Sequence, residues 1–452
     1  MRPGRGSLPG VSDVDEEPDR RIWRNWAREQ VCHPLAIVRP RTREGLVRAI
    51  IEAGEQGRRV KVAGSGHSFT DAAVTDGTML RIEALDRMLD HDPSSGLVRV
   101  EAGAVLGGLN RKLDDLGVAF ENLGDIDKQT LAGSISTGTH GTGIRFQNVS
   151  AQIESLELIC ADGSTRVLSE RDDPTAFRAA RVGVGALGVV YAATIRTVPA
   201  YTINRTDEPR PLAETLANLD ETVDRLDHFE FYVFPHTDTA LCRESTRTDE
   251  PPQPPNPAVT YVREVMLENW ASGAFATVSR NVPSLGPALS RRAAASFANA
   301  SKVDKSFRVF ASERRLKFTE MEYGIPREHA REAVERVLEG ASRPEIQCVF
   351  PVEVRFVRGD DALLSPSHER DTCYIAVHQD RKLDWPTYFR EVESILAGYG
   401  GRPHWGKRHE LTHRELSQRY PRWDDFQKVR AGLDPEGRFA NDYTDRVFGP
   451  VG

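Results

Sequence analysis

The sequence predicts an α+β protein of two lobes with a helical C-terminal segment, and three observations carry that expectation. Helical and β-type runs alternate from about Pro34 to Pro199 in a stretch rich in glycine. From about Tyr201 to Gly400 glycine thins out and longer helices alternate with strands. No internal repeat relates the halves, and 452 residues suffice for two or three domains with substantial cores. The expected division is a disordered tail at 1–20, a front lobe at 21–200, a second lobe at 201–412 and C-terminal helices at 413–452.

Each element has a local cause. "TREGLVRAIIEAGEQG" opens on a Thr N-cap, keeps apolar residues at helical spacing and stops at Gly57. "RRVKVA" and "GLVRVEAG" are short β-rich runs, and "VLGGLNRKLDDLG" is a helix closed by Gly117. "IESLELICADGSTRVLS" reads as a hairpin turning at Ala161 to Ser164. In the second lobe "PLAETLANLDETVDRLDHFEFYVFPH" is a helix followed by a strand, and "TRTDEPPQPPNPAV" (246–259) is an exposed loop. "REHAREAVERVLEG" and "WPTYFREVESILAGYG" are helices, and "QCVFPVEVRFV" and "TCYIAVHQD" are strands. The segment from His413 to Tyr443 reads as two short helices and an irregular end.

Composition excludes several classes. With 39% hydrophobic and 28% charged residues and a net charge of -7, the chain carries no long basic patch for nucleic acid. The mildly basic "SRRAAASFANASKVDK" (290–305) reads as a solvated helix face. Five scattered cysteines, without a close pair, argue against a disulfide framework or thiolate zinc and suit a reducing, cytoplasmic setting. The amino terminus lacks the apolar core of a secretory signal, and no stretch approaches the roughly 20 apolar residues of a membrane span.

Two motif matches fail on context. "GVGALG" (183–188) fits G-x-G-x-x-G, but a helix precedes it and a β-branched strand follows, the reverse of a dinucleotide fingerprint. "HELTH" (409–413) fits H-E-x-x-H, yet Thr412 and Glu415 form a capping-box signature that starts a helix at Thr412, so His409 and His413 straddle a helix boundary. A metallohydrolase remains a remote alternative, and no metal is expected. More informative are "AGSGHS" (63–68) and Asn122 to Gly143, two loops that offer backbone N–H groups unshielded by side chains. Two such loops, with the flexible "GVGALG", suggest a large anionic cofactor gripped by backbone, for which FAD is a natural candidate.

These residues carry a resemblance. "GSGHSFTD", "VRVEAG", "NLG", "STGTHGTG", "ARVGVGALGVV", "FPVEVRFVRGDDALLSP", "RDTCY" and "GGRPHWGK" occur in an order similar to the aldonolactone oxidoreductases of the vanillyl-alcohol-oxidase type. The resemblance covers the chain from about Ala36 to its end. It implies an FAD-binding front lobe, a substrate-binding cap and a C-terminal segment that returns to the FAD lobe. It also implies oxidation of L-gulono-1,4-lactone or a close aldonolactone to an ascorbate-type product, with an alditol oxidase as the alternative. Oxygen or a cytochrome or dye-like molecule would accept the electrons, and a dehydrogenase is favoured.

By the same match His67 is the expected covalent flavin tether. Cofactor contacts fall on Val62, Ala63, Gly64, Ser65, Gly66, Ser68, Asp125, Thr130, Gly133, Thr137, Gly138, Thr139, His140, Gly188 and Val189. "VEVRF" alternates, so Glu353 and Arg355 share one strand face, as a structural ion pair or as active-site groups. The resemblance favours the latter, with Glu353 helping to deprotonate the reacting hydroxyl and Arg355 and Lys407 stabilising negative charge. His378 and Asp125 are expected substrate contacts; Asp125 departs from an alditol oxidase, which has serine there.

Overall fold

The structure, a computed structural model, describes residues 14–16, 22–254, 277–278, 281–312, 316–348 and 350–451. Near the amino terminus, strands Ala36–Pro40, Thr78–Leu80 and Val60–Val62 pair in parallel in that order. Val14–Glu16, inside the segment expected to be disordered, adds antiparallel to Ala36–Pro40; the rest of 1–20 lies outside the described residues. Helix Arg43–Glu55 packs on this sheet through Leu46, Ala49, Ile50 and Ala53, and Thr42 Oγ1 accepts the Gly45 N–H at 3.0 Å as the N-cap pattern requires.

A five-stranded antiparallel sheet follows, in the order Thr165–Ser169, Ile153–Ile159, Val189–Arg196, Leu97–Glu101, Met88–Asp92. Its first two strands are the expected hairpin, turning at Gly163 with φ +76°. "GVGALG" lies between helix Pro174–Ala180 and strand Val189–Arg196, so no helix N-terminus faces away from it as a dinucleotide site needs.

The second half builds an eight-stranded antiparallel sheet. Its order is Ala300–Lys305, Thr202–Pro211, Thr239–Thr248, His228–Val233, Val352–Val357, Thr372–Gln379, Thr319–Pro326, Arg402–Pro403. One face is apolar, with Phe229, Phe231, Val352, Val354, Ile375, Val377 and Met321 buried in the core shared with helices Ala330–Ala341 and Trp385–Ala397. The other face carries the polar residues described below.

Several expectations change in detail. The segment from Leu212 to Arg225 is two helices, Leu212–Ala217 and Leu219–Arg225, because Asn218 leaves helical geometry at φ -102°, ψ 15°. The Pro-rich loop starts late: Thr246 to Thr248 still pair with strand Thr202–Pro211, and 255–259 lie outside the described residues. The basic stretch 290–305 is helix only to Ala295; Ala300–Lys305 is a strand. The supposed irregular end holds a third helix, Asp442–Phe448, started by an Asn441–Thr444 capping box. Among the described residues no helix is long and apolar enough to cross a membrane, and all five cysteines are free and buried.

Polar contacts join distant segments. The C-terminal stretch docks on the front sheet: Arg438 O accepts the Val60 N–H at 2.7 Å, and Asn441 Nδ2 donates to the carbonyls of Asp71, Ala72 and Val74. Lys61, 2% exposed, donates to the carbonyls of Gly185 and Phe439, both at 3.1 Å. Asp360 accepts from Asn148 Nδ2 at 2.8 Å, Ser367 Oγ at 2.8 Å, Ser365 Oγ and the Ala362 N–H, latching the loop after Val352–Val357 onto residue 148 of the front half. Asp360→Ala leaves these buried donors unpaired and is expected to destabilise the protein by about 3 kcal/mol. Urea unfolding checks this; a change under about 0.5 kcal/mol, the range of ordinary surface substitutions, would refute the latch.

Candidate active site

The site grows from strand alternation. Side chains two residues apart share a sheet face, and register decides which meet across strands. Glu230 pairs with Arg355, Tyr232 with Glu353, Arg355 with Tyr374, Glu353 with Ala376, and His378 with Glu320. Four neighbouring strands thus bring Glu230, Tyr232, Glu353, Arg355, Tyr374, His378, Glu320 and Glu322 onto one face. All but Tyr232 are under one-tenth exposed.

So many buried charges persist only because they pair. Arg355 is held by Glu353, by Glu230 (Nε to Oε2, 3.0 Å) and by Asp125 (Nη2 to Oδ2, 3.4 Å). Tyr232 Oη donates within reach of two carboxylates, Glu230 at 2.9 Å and Glu353 at 3.0 Å, and Arg243 Nη1 donates to Glu230 at 2.8 Å. Lys407 pairs with Glu320 and stands 3.6 Å from Glu322. His378 Nε2 lies 3.2 Å from Glu320 Oε1 and 3.8 Å from Glu353 Oε2. Backbone rungs deliver Lys407: the His404 N–H donates to Glu322 O and the Arg408 N–H to Glu320 O, laying the "HWGK" segment along strand Thr319–Pro326.

Burial opposes the charge on Glu230, Glu320 and Glu322, and the cations win. Glu230 is brought down to about 2 by Arg355 and Arg243, and Glu320 to about 2 by Lys407 and His378. Lys407 is raised by Glu320 and Glu322 although burial works against its ammonium, and Arg355 rises for the same reason beside Glu353 and Asp125. Burial takes His404 down to about 3.

This face floors an open cavity of about 1040 Å³, solvent at its mouth included, opposite the front lobe. His67, Asp125, Thr139, His140, Arg355 and Lys407 of the expected residues line it. Glu353 and His378 do not; they stand behind Arg355 and Glu320. Val62, Ala63, Gly64, Ser65, Gly66, Ser68, Thr130, Gly133, Thr137, Gly138, Gly188 and Val189 also lie off this cavity, in the glycine-rich stretches and the ends of the strands and helix that flank them.

Those loops converge. A Cβ on Gly64 would sit 2.5 Å from Thr130 Oγ1, the N-cap of helix Leu131–Ser136, so the two loops touch backbone to side chain. The Val184 N–H donates to Ser136 O, and the Phe69 N–H donates to Gly406 O at 2.8 Å, tying "GVGALG" and "HWGK" to the same cluster. The structure suits a cofactor held by backbone: among the described residues, the amides of Gly64, Ser65, Gly66, His67 and Ser68 donate to no protein acceptor, and Gly66 takes φ +72°. Consecutive free amides of this kind fit a pyrophosphate. Next to them His67 stacks on Trp26 at 5.5 Å between centroids, and burial, with Lys317 and Lys128 nearby, lowers it to about 4, so the ring is neutral at neutral pH.

Sequence reasoning missed Glu320, Glu322, Glu230, Tyr232, Arg243, His404, Trp26 and Phe318. The signal was the alternation in "TEMEYGIP" and "HFEFYV", which resembles a solvent-facing edge as much as a buried polar face. As for "HELTH", Thr412 caps a helix that begins at His413, while buried His409 bonds Tyr443 Oη at 3.1 Å. Two other groups, His140–Glu322–His404 and Glu320–Glu353–His378, bring metal-ligating atoms within 4.8 Å of one another. In the first, His404 Nδ1 accepts the Gly406 N–H and His140 Nδ1 faces Gly141 O, so hydrogen bonds account for both rings.

Comparisons with known proteins agree with this geometry. A family model described as D-arabinono-1,4-lactone oxidase matches residues 193–447, and one described as FAD binding domain matches 34–169. L-gulono-1,4-lactone dehydrogenase of Mycobacterium tuberculosis is 49% identical over 95% of this chain and 99% of its own. L-gulonolactone oxidase of Bos taurus is 35% identical over 94% of this chain and 98% of its own. Cholesterol oxidase from B. sterolicum superposes with a TM-score of 0.81 over the whole of both chains at 15% identity, which shows the fold. The expected FAD-binding architecture of the vanillyl-alcohol-oxidase type is thereby shown, and the cofactor is FAD.

The ionised carboxylates make acid stability predictable. Glu230 and Glu320 bind protons near 2 when folded and near 4.5 otherwise, so the unfolded chain protonates first as pH falls. Their stabilisation is complete above about pH 4.5 and drains toward pH 2. Glu320→Gln should flatten the fall in urea midpoint between about pH 5 and 3, and a slope as steep as that of the unaltered protein would contradict the ion pairing.

Proposed function

This chain belongs to the D-arabinono-1,4-lactone oxidase family, and on that premise we propose that it oxidises L-gulono-1,4-lactone, or a close aldonolactone, at the hydroxyl beside the carbonyl. The product is of the ascorbate type. The observation that carries this reading is that Arg355 and Lys407, two paired cations, open on the same cavity as His67, Thr139 and His140 of the front lobe. FAD, when bound, supplies the two-electron acceptor for hydride. The free amides of 64–68 would hold its pyrophosphate, with Thr130, Gly133, Thr137, Gly138, Thr139, His140, Gly188 and Val189 shaping the pocket around it. His67, neutral and without a hydrogen bond of its own among the described residues, would be the residue that tethers the flavin covalently.

The chain's own residues handle charge and proton. Arg355 and Lys407 stabilise negative charge growing on the substrate oxygens. Glu353, held by Tyr232 and Arg355, ends with the hydroxyl proton. Asp125 at the cavity wall accepts hydrogen bonds from substrate hydroxyls, and His378, behind Glu320, orients that carboxylate of the wall. The enzyme acts as a dehydrogenase, as the name of the 49% identical relative supports, and its electrons pass to a cytochrome or dye-like acceptor. Its place is the cytoplasm, where five free cysteines are at home.

Purified protein should be yellow, bleach anaerobically with L-gulono-1,4-lactone, and reduce a dye faster than oxygen. Turnover confined to xylitol would replace the lactone reading with an alditol oxidase. Glu353→Gln should lower kcat by about 10²–10⁴ with the flavin spectrum kept. Acid precipitation should leave the flavin with the protein, and His67→Ala should release it to the supernatant; release from the unaltered protein would refute the tether.

A further inference from the structure

Glu353 presents a problem of access. It is 2% exposed and stands behind the cavity wall, so a proton leaving a substrate in the cavity needs a way to reach it. Glu320 does line the cavity. Between the two carboxylates sits one imidazole nitrogen, His378 Nε2, 3.2 Å from Glu320 and 3.8 Å from Glu353, and the three polar atoms lie within 4.8 Å of one another. A nitrogen facing two acceptors carries its proton.

We propose that Glu320 is a further catalytic residue, the cavity-side carboxylate that takes the substrate's hydroxyl proton and passes it through His378 to Glu353. The transfer balances. The hydroxyl proton goes to a Glu320 oxygen; His378, an imidazolium between the two carboxylates, gives its Nε2 proton to Glu353 Oε2, is left neutral with its proton on Nδ1, and takes the Glu320 proton on Nε2. Glu353 ends neutral, while Glu320 and His378 return to their starting forms.

The groups facing Glu320 say when it acts. Lys407 meets it from the 404–407 segment, Glu322 from its own strand, and His378 from the paired strand, with Glu353 beyond and Asp125 across the cavity. While Lys407 sits on Glu320, the carboxylate is held ionised and a poor base. A substrate oxygen that draws Lys407 toward itself removes the main attraction and raises the proton affinity of Glu320. The cation is thus shared between base and substrate, and the base is released only when substrate is bound.

The inference rests on the reading of Glu353 as final proton acceptor, and the two are separable by anaerobic flavin reduction with L-gulono-1,4-lactone. Glu353→Gln tests the parent reading: an unimpaired reduction rate overturns both. With Glu353→Gln inactive, Glu320→Gln should slow reduction about 100-fold or more while keeping flavin, and Glu320→Asp should recover part of the rate. Near-normal reduction in Glu320→Gln overturns the proposal alone. His378→Ala should lose rate and regain it with added imidazole, a rescue that a merely structural ring would not show. Absence of rescue in folded, flavin-loaded His378→Ala removes the relay, and this arm stands even if the Glu320 variants do not fold.

Discussion

The constraint on which the rest depends is the burial of a charged sheet face. Alternation in four neighbouring strands places Glu230, Glu353, Arg355, His378, Glu320 and Glu322 on one side, and the front lobe covers them. Taking these charges out of water costs several kcal/mol each unless partners replace the lost solvent. Every cation is therefore shared: Arg355 among three carboxylates, Lys407 between two. Such sharing orients the groups in advance. It also makes them responsive, because a substrate oxygen entering the network competes for a cation already in use.

The front lobe solves the opposite problem. The loop at 64–68 carries few side chains, so its amides remain free among the described residues; the second stretch, expected to do the same, instead forms helix Leu131–Ser136 and spends the amides of Leu131 to Ser134 and Thr137 to Thr139 on protein acceptors. Gly64 against Thr130 and Gly406 against Ser68 are contacts that a larger side chain would prevent or push apart. The C-terminal residues 438–441 then hold the strand and loop around Val60 to Val74, so that the end of the chain braces the glycine loop that carries His67. His67, at the end of that loop, and the ionic floor meet at one cavity.

Local patterns account for what was readable. The Thr42 cap, the Gly163 turn, the helix start at Thr412 and the reversed context of "GVGALG" all depend on residues within a turn or two, and all match. The break at Asn218 and the last helix at Asp442–Phe448 escaped notice because caps in short helices compete with weak periodicity. Glu353 and Arg355 were found through alternation within five residues. Tyr232 lies 121 residues from Glu353 and Lys407 87 from Glu320, and nothing local joins them.

By itself, then, the sequence determined that the glycine loop around His67 would present bare amides and that Glu353 and Arg355 would share a face, since conformational freedom and strand period are properties of adjacent residues. Only the tertiary structure decided which carboxylates surround Arg355, that Glu320 and not Glu353 fronts the cavity, and where Lys407 points. Those outcomes follow from strand order and register, which are set by packing among segments far apart in the chain.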